Sequence, residues 1–165
     1  MRLDPWFRRA IYLLTATLFL TGTAWFLGDR FAYFARAPAW QGLSANLLMI
    51  HGGAAMLFLL FLGALGARHV PLGWRIGMNR LMGLVILGSS AVLVGTAFGL
   101  YYFGSDALRR WTSDLHIAIG LGWPVLLALH VITGRQSVRA NERQQILRET
   151  AVPRQEDRRG LRASR

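Results

Sequence analysis

Cysteine and lysine are both absent from this 165-residue chain, and histidine occurs only four times. Without cysteine there is no disulfide, no thiolate iron–sulfur cluster, and no covalently attached c-type haem, which needs C-x-x-C-H. Any haem must be held non-covalently. All nineteen basic residues are arginine, and no function attaches to that preference. Charge is scarce as well: 16% of residues are charged and 53% are hydrophobic, where soluble domains carry about 25% charged residues. The formal net charge of +11 would suit a nucleic-acid partner. The arginines are placed otherwise. Nine fall within residues 135–165 and most of the rest flank apolar runs, which is the positive-inside pattern and excludes the nucleic-acid reading. No internal repeat or low-complexity stretch is evident.

What the chain has instead is long apolar runs. A helix needs about 20 residues to cross a bilayer, and four stretches suffice: 8–28, 45–67, 80–103 and 113–134. All are predicted helical, because the bilayer interior offers no partner to a free backbone group. Arg8-Arg9 ahead of the first run resembles a signal peptide. The run continues through Trp25-Phe26-Leu27, which predicts an uncleaved anchor. Residues 29–44 are predicted as an aromatic, amphipathic loop at the interface. Trp6, Trp40, Trp74, Tyr101, Tyr102 and Trp111 fall near span ends, as an interfacial belt would. In an up-down bundle, fifteen arginines share the side of both termini and four, Arg30, Arg36, Arg109 and Arg110, take the other. That asymmetry predicts cytoplasmic termini in a bacterial inner membrane. The tail, 136–165, divides into a charged helix over 136–150 and a segment from Pro153 with the composition of disorder. Its arginines suit anionic lipid headgroups.

The histidines stand at the ends of two of these runs. His51 opens and His69 closes HGGAAMLFLLFLGALGARH; His116 and His130 bound HIAIGLGWPVLLALH. The first pair is eighteen residues apart, five whole turns and about 27 Å; the second is fourteen apart, nearly four turns and about 21 Å. Each pair therefore projects from one face. Spans two and four run in the same direction, so His51 meets His116 near one surface and His69 meets His130 near the other. Bundle cofactor sites are built this way, from facing helices. A b-type haem takes one imidazole on each side of its iron, and two would span most of the hydrocarbon. Zinc would require three or four ligands at one point. The competing reading is that the histidines only hydrogen-bond neighbouring helices. His69 is the weakest member, because Pro71 biases Val70 away from helix and towards a loop. Gly52, Gly53, Gly120 and Gly122, with the stripe Gly88, Ala91, Gly95 and Gly99, would let a macrocycle or another helix approach. Pro124 is expected to kink span four. Candidate propionate partners are Arg68 and Arg135 beside one pair, and Arg109, Arg110 and Trp111 beside the other; each also serves as a topology-setting charge.

Over residues 7–135 the sequence resembles the prokaryotic cytochrome b561 group, which includes the b-type subunits of respiratory formate dehydrogenases and nickel–iron hydrogenases. The resemblance is carried by LHIAIGLGWPVLLALHVITGR, residues 115–135, with histidines fourteen apart, and by His51 early in span two. It implies ligand roles for His51, His116 and His130. Such subunits usually take a ligand from the first helix, which here has no histidine; His69 would replace it. Four ligands on helices two and four are similar to the core of the cytochrome b of bc-type complexes, although no Pro-Glu-Trp-Tyr quinol motif is present. The resemblance further implies an electron-transfer subunit of a multi-subunit complex. It would link a periplasmic partner (a c-type cytochrome or a dehydrogenase subunit) to the quinone pool, with quinone around His69, Arg75, Asn79 and His130.

The expected architecture is thus an all-α membrane protein. A four-transmembrane-helix up-down bundle, residues 1–135, would enclose two haem b groups on the pairs His51/His116 and His69/His130, and a charged cytoplasmic tail would follow. Two other readings stay open: one haem on His51/His116 alone, or a non-redox membrane anchor whose histidines only knit helices.

Overall fold

The computed structural model describes residues 4–31, 37–76 and 79–151, without the side chains of Arg68, His69, Leu72, Ile76 and Ala151. The described residues form four helices: α1 (Pro5–Arg30), α2 (Pro38–Ile76), α3 (Arg80–Tyr102) and α4 (Asp106–Ala151). All four are long and apolar enough to cross a membrane. Proline at the first helical position, where no intrahelical N–H is needed, opens both α1 and α2. Asn79 takes the left-handed conformation (φ 55°) at the turn into α3. α3 ends at Phe103, whose backbone is extended and whose N–H donates to the Gly99 carbonyl.

Two helices outrun their predicted limits. Residues 38–44, expected in the interfacial loop, form the first turns of α2, and the helix passes through His69 and Pro71 to Ile76. Val70 is helical despite the proline after it. Proline removes one internal hydrogen bond, whereas ending a helix leaves four carbonyls without partners. In an apolar surrounding the first loss is the smaller one. α4 begins at Asp106, so Arg109, Arg110 and Trp111, which precede the predicted fourth span, lie on helix. It continues unbroken past Arg135 to Ala151, which joins the fourth span and the tail helix into one rod of 46 residues, about 69 Å long. The segment beyond Pro153, expected to be disordered, lies outside the described residues.

Side-chain contacts fix the register. On α1 and α2, Trp6 and Phe7 meet Phe61, Gly22 meets His51, and Gly28 meets Trp40: an antiparallel hairpin. On α3 and α4, Thr96 meets His116 and Gly99 meets Thr112, a second one. The hairpins join mainly through α1 and α4, while α2 and α3 approach only sparsely. Among the described residues α2 and α4 have no close backbone approach, so they stand on opposite corners and reach each other by side chains alone. The expectation that they face one another holds only across the bundle diagonal.

The packing is inverted relative to a water-soluble bundle. The interior holds Thr15, Thr21, Ser90, Thr96 and Thr112 beside Ile11, Ala54 and Trp123. The outer faces carry large apolar side chains such as Leu13, Met56, Leu60 and Leu81, the last 74% exposed. Water would penalise such a surface, whereas lipid does not, and small polar residues between helices are the usual means of close packing there. The chain is a multi-pass membrane protein.

Candidate functional site

His51 lies on the second turn-pair of α2 and His116 on the third turn of α4, both half-buried and directed to the bundle axis. Their ring centroids are 6.3 Å apart, with the planes at 66°. Each ring is tied to the preceding helix of its own hairpin. His51 Nδ1 is 3.0 Å from the Thr21 hydroxyl on α1, and His116 Nδ1 is 2.8 Å from the Thr96 hydroxyl on α3. The two hairpins thus repeat one device, a threonine on the first helix holding a histidine on the second. Gly22 makes room for it: a Cβ there would sit 3.1 Å from His51 Cε1.

With Nδ1 engaged on both rings, Nε2 is the nitrogen each imidazole has left for a ligand. Metal–imidazole bonds of about 2.0–2.1 Å on either side, together with the ring radii, put two opposed imidazole centroids about 6 Å apart. The observed separation matches that arrangement. Among the described residues no group of three or more His, Asp or Glu side chains converges, so the two imidazoles stand as a pair. The remaining coordination would have to come with the bound group.

Two turns further into the bundle, Phe58 and Trp123 pack edge to face, 5.3 Å between centroids. This pair and the histidine pair share an offset of 65 residues between α2 and α4, as expected of parallel helices. Carried onward, the same register sets His130 level with position 65. His69 falls four residues beyond, one turn or about 6 Å. The backbone of His69 is helical, and its side chain lies outside the described residues, as does that of Arg68. His130 is half-buried, and its carbonyl accepts from Asn79 Nδ2 at 3.2 Å, which ties the α2–α3 turn to α4. The first pair is thus brought together at one level, and the second is staggered by a turn.

Of the four arginines proposed for propionates, three are described with their side chains. Arg109 is exposed two turns before His116 on the same face of α4; Arg110 and Arg135 are also exposed. Of the glycines singled out in the sequence, a Cβ at Gly53, Gly88, Gly95 or Gly122 would meet nothing within 4 Å. Gly99, in the same stripe, does matter to its hairpin: a Cβ there would crowd Phe103 and lie 3.1 Å from Thr112 Cγ2. Gly22 and Gly28, against His51 and Trp40, were not singled out, nor were Thr21 and Thr96. A signal existed: each threonine adjoins a glycine inside an apolar run, in Thr21-Gly22 and Gly95-Thr96. No family model, curated protein or solved structure matches the chain.

Proposed function

We propose that the protein is a transmembrane b-type cytochrome that carries electrons between a periplasmic redox partner and the quinone pool of a bacterial inner membrane, as a subunit of an oxidoreductase complex. The observation that carries this reading is the opposed pair His51 and His116, with 6.3 Å between centroids and one nitrogen on each ring already committed to a threonine. These residues fit a bis-imidazole haem. His51 and His116 would hold the iron, and Ala54, Phe58 and Trp123, within two turns of them, would give the porphyrin apolar contact. The bound haem would supply one-electron carriage between ferrous and ferric iron; the chain supplies ligation, orientation and exclusion of water. Arg109, on the His116 face, is the candidate propionate partner at that end, and Arg68 and Arg135 at the other. The arginine asymmetry supports cytoplasmic termini and contact of the tail with anionic lipid. Resemblance to the b561 group supports a c-type cytochrome or dehydrogenase subunit as partner and a quinone near Arg75, Asn79 and His130.

The second haem, on His69 and His130, rests on sequence spacing. The one-turn stagger between those positions favours a second reading, a single haem on His51 and His116. Reduced-minus-oxidised spectra of the purified protein with a pyridine haemochrome count decide between them. Two haems per chain support the di-haem form, and one haem insensitive to His69→Ala supports the single-haem form. In either case His51→Ala and His116→Ala should each abolish the low-spin signal of the shared site. A protein without b haem that still co-purifies with its partners overturns both and leaves a membrane anchor.

A further inference from the structure

The threonine–histidine bonds admit a stricter reading, which rests on the proposed haem site. A threonine hydroxyl has one proton. Thr21 Oγ1 lies 2.6 Å from the Thr17 carbonyl, and 3.3 Å from that of Leu18. Thr96 Oγ1 lies 2.8 Å from the Val92 carbonyl and 3.0 Å from that of Leu93. Carbonyls can only accept, and two oxygens at such distances without a proton between them would repel. Each hydroxyl proton is therefore spent on its own helix. What remains for the imidazole is a lone pair on Oγ1, so the proton in the Thr–His contact must be the one on Nδ1. Both rings are then Nδ1–H tautomers, with the lone pair on Nε2.

We infer that Thr21 and Thr96 are paired positioning residues that fix the tautomer and rotation of His51 and His116, so that both Nε2 lone pairs are presented to one iron before it arrives. The arrangement is a relay of backbone carbonyl, hydroxyl and imidazole, present once in each hairpin. Its polarity is set by the helix, because the threonine back-bonds to the turn before it. An acceptor on Nδ1–H also raises the basicity of the ligating nitrogen, as partners beyond the ligands generally do. That favours ferric iron, so the two hydroxyls hold the midpoint potential down.

The test uses the full-length protein with haem bound. Thr21→Val and Thr96→Val keep the shape and remove the hydroxyl. Each should weaken haem retention about tenfold or more, raise the midpoint potential in a redox titration, and change the low-spin electron paramagnetic resonance spectrum. Thr21→Ser and Thr96→Ser should restore all three. Thr15→Val is the control: Thr15 is buried on the same helix, six residues from Thr21, with no hydrogen-bond partner on its hydroxyl. It should leave the spectrum and potential as they were. Alanine replaces valine wherever the branched side chain blocks assembly, with the same expectations. Variants with wild-type retention and potential overturn the inference, as does loss of assembly with valine and alanine alike, which would make the role purely structural. If the unmodified protein holds no haem, the functional proposal fails first; if it holds haem and the variants are indifferent, only the positioning role fails.

Discussion

A single methyl group separates Gly22 from alanine, and the structure gives it a target. The added Cβ would approach His51 Cε1 to 3.1 Å, closer than two carbons sit comfortably, so the ring would have to turn or retreat by a few tenths of an ångström. A ring fastened through Nδ1 to Thr21 has little freedom to do either without lengthening that bond. Gly22→Ala should therefore lower haem content and alter the low-spin spectrum while leaving the bundle folded. Gly53 offers the contrast. It follows His51 by two positions on α2, and a Cβ there meets nothing within 4 Å. Gly53→Ala should leave the spectrum unchanged and, by relieving helix-interior glycine, add about 0.5–1 kcal/mol of stability. Absorption spectra and thermal unfolding of the two variants side by side check both halves of this expectation.

Among the helices, the α1–α2 hairpin is closed at its loop end by a glycine and an aromatic ring. The Trp40 indole occupies the space where a Gly28 Cβ would be, so the end of α1 and the start of α2 meet without an intervening side chain. Gly28→Ala forces Trp40 out and should cost about 1–3 kcal/mol, as overpacking of a fitted contact does. In a Trp40→Ala background the same change should cost much less. A double-mutant cycle on thermal or denaturant unfolding measures the difference, and equal costs in both backgrounds would refute the contact. The other end of this hairpin is held by Trp6, Phe7 and Phe61, which leaves His51 and Thr21 between two fixed ends. α4 shows the complementary property. With Pro124 inside it and no break at Arg135, it runs as continuous helix from the His116 level to a charged segment beyond the apolar run.

Taken whole, the molecule is two antiparallel hairpins whose interior sets threonine and serine among a few apolar side chains and whose outer face is apolar. That inversion belongs to a lipid solvent, and it places the α1–α2 and α3–α4 links together on one side of the membrane, opposite the termini. The absence of cysteine makes the proposed orientation simple to read. Gly104→Cys, in the exposed link before α4, should react with an impermeant maleimide in intact spheroplasts; Gln144→Cys, on the exposed end of α4, should react only after lysis. The opposite order would reverse the orientation, and labelling of both from outside would break the four-span topology.

Hydropathy, arginine placement and the histidine spacing are local or one-dimensional properties, and they were enough to predict four spans and to mark all four histidines as candidates, of which the structure brings His51 and His116 together. The reason is physical: apolar length, charge asymmetry and the 3.6-residue turn are each set within one segment. Span limits were less legible. Pro71 and the loop-like composition of 38–44 are weak local biases, and the requirement to satisfy backbone groups in an apolar medium outweighs them. What only tertiary structure decided is everything that depends on two helices at once. The diagonal placement of α2 and α4, the one-turn stagger of positions 69 and 130, the fit of Trp40 onto Gly28, and the choice of Thr21 and Thr96 as histidine partners all follow from inter-helix register. That register is fixed by which side chains interlock between hairpins, and no single segment carries it.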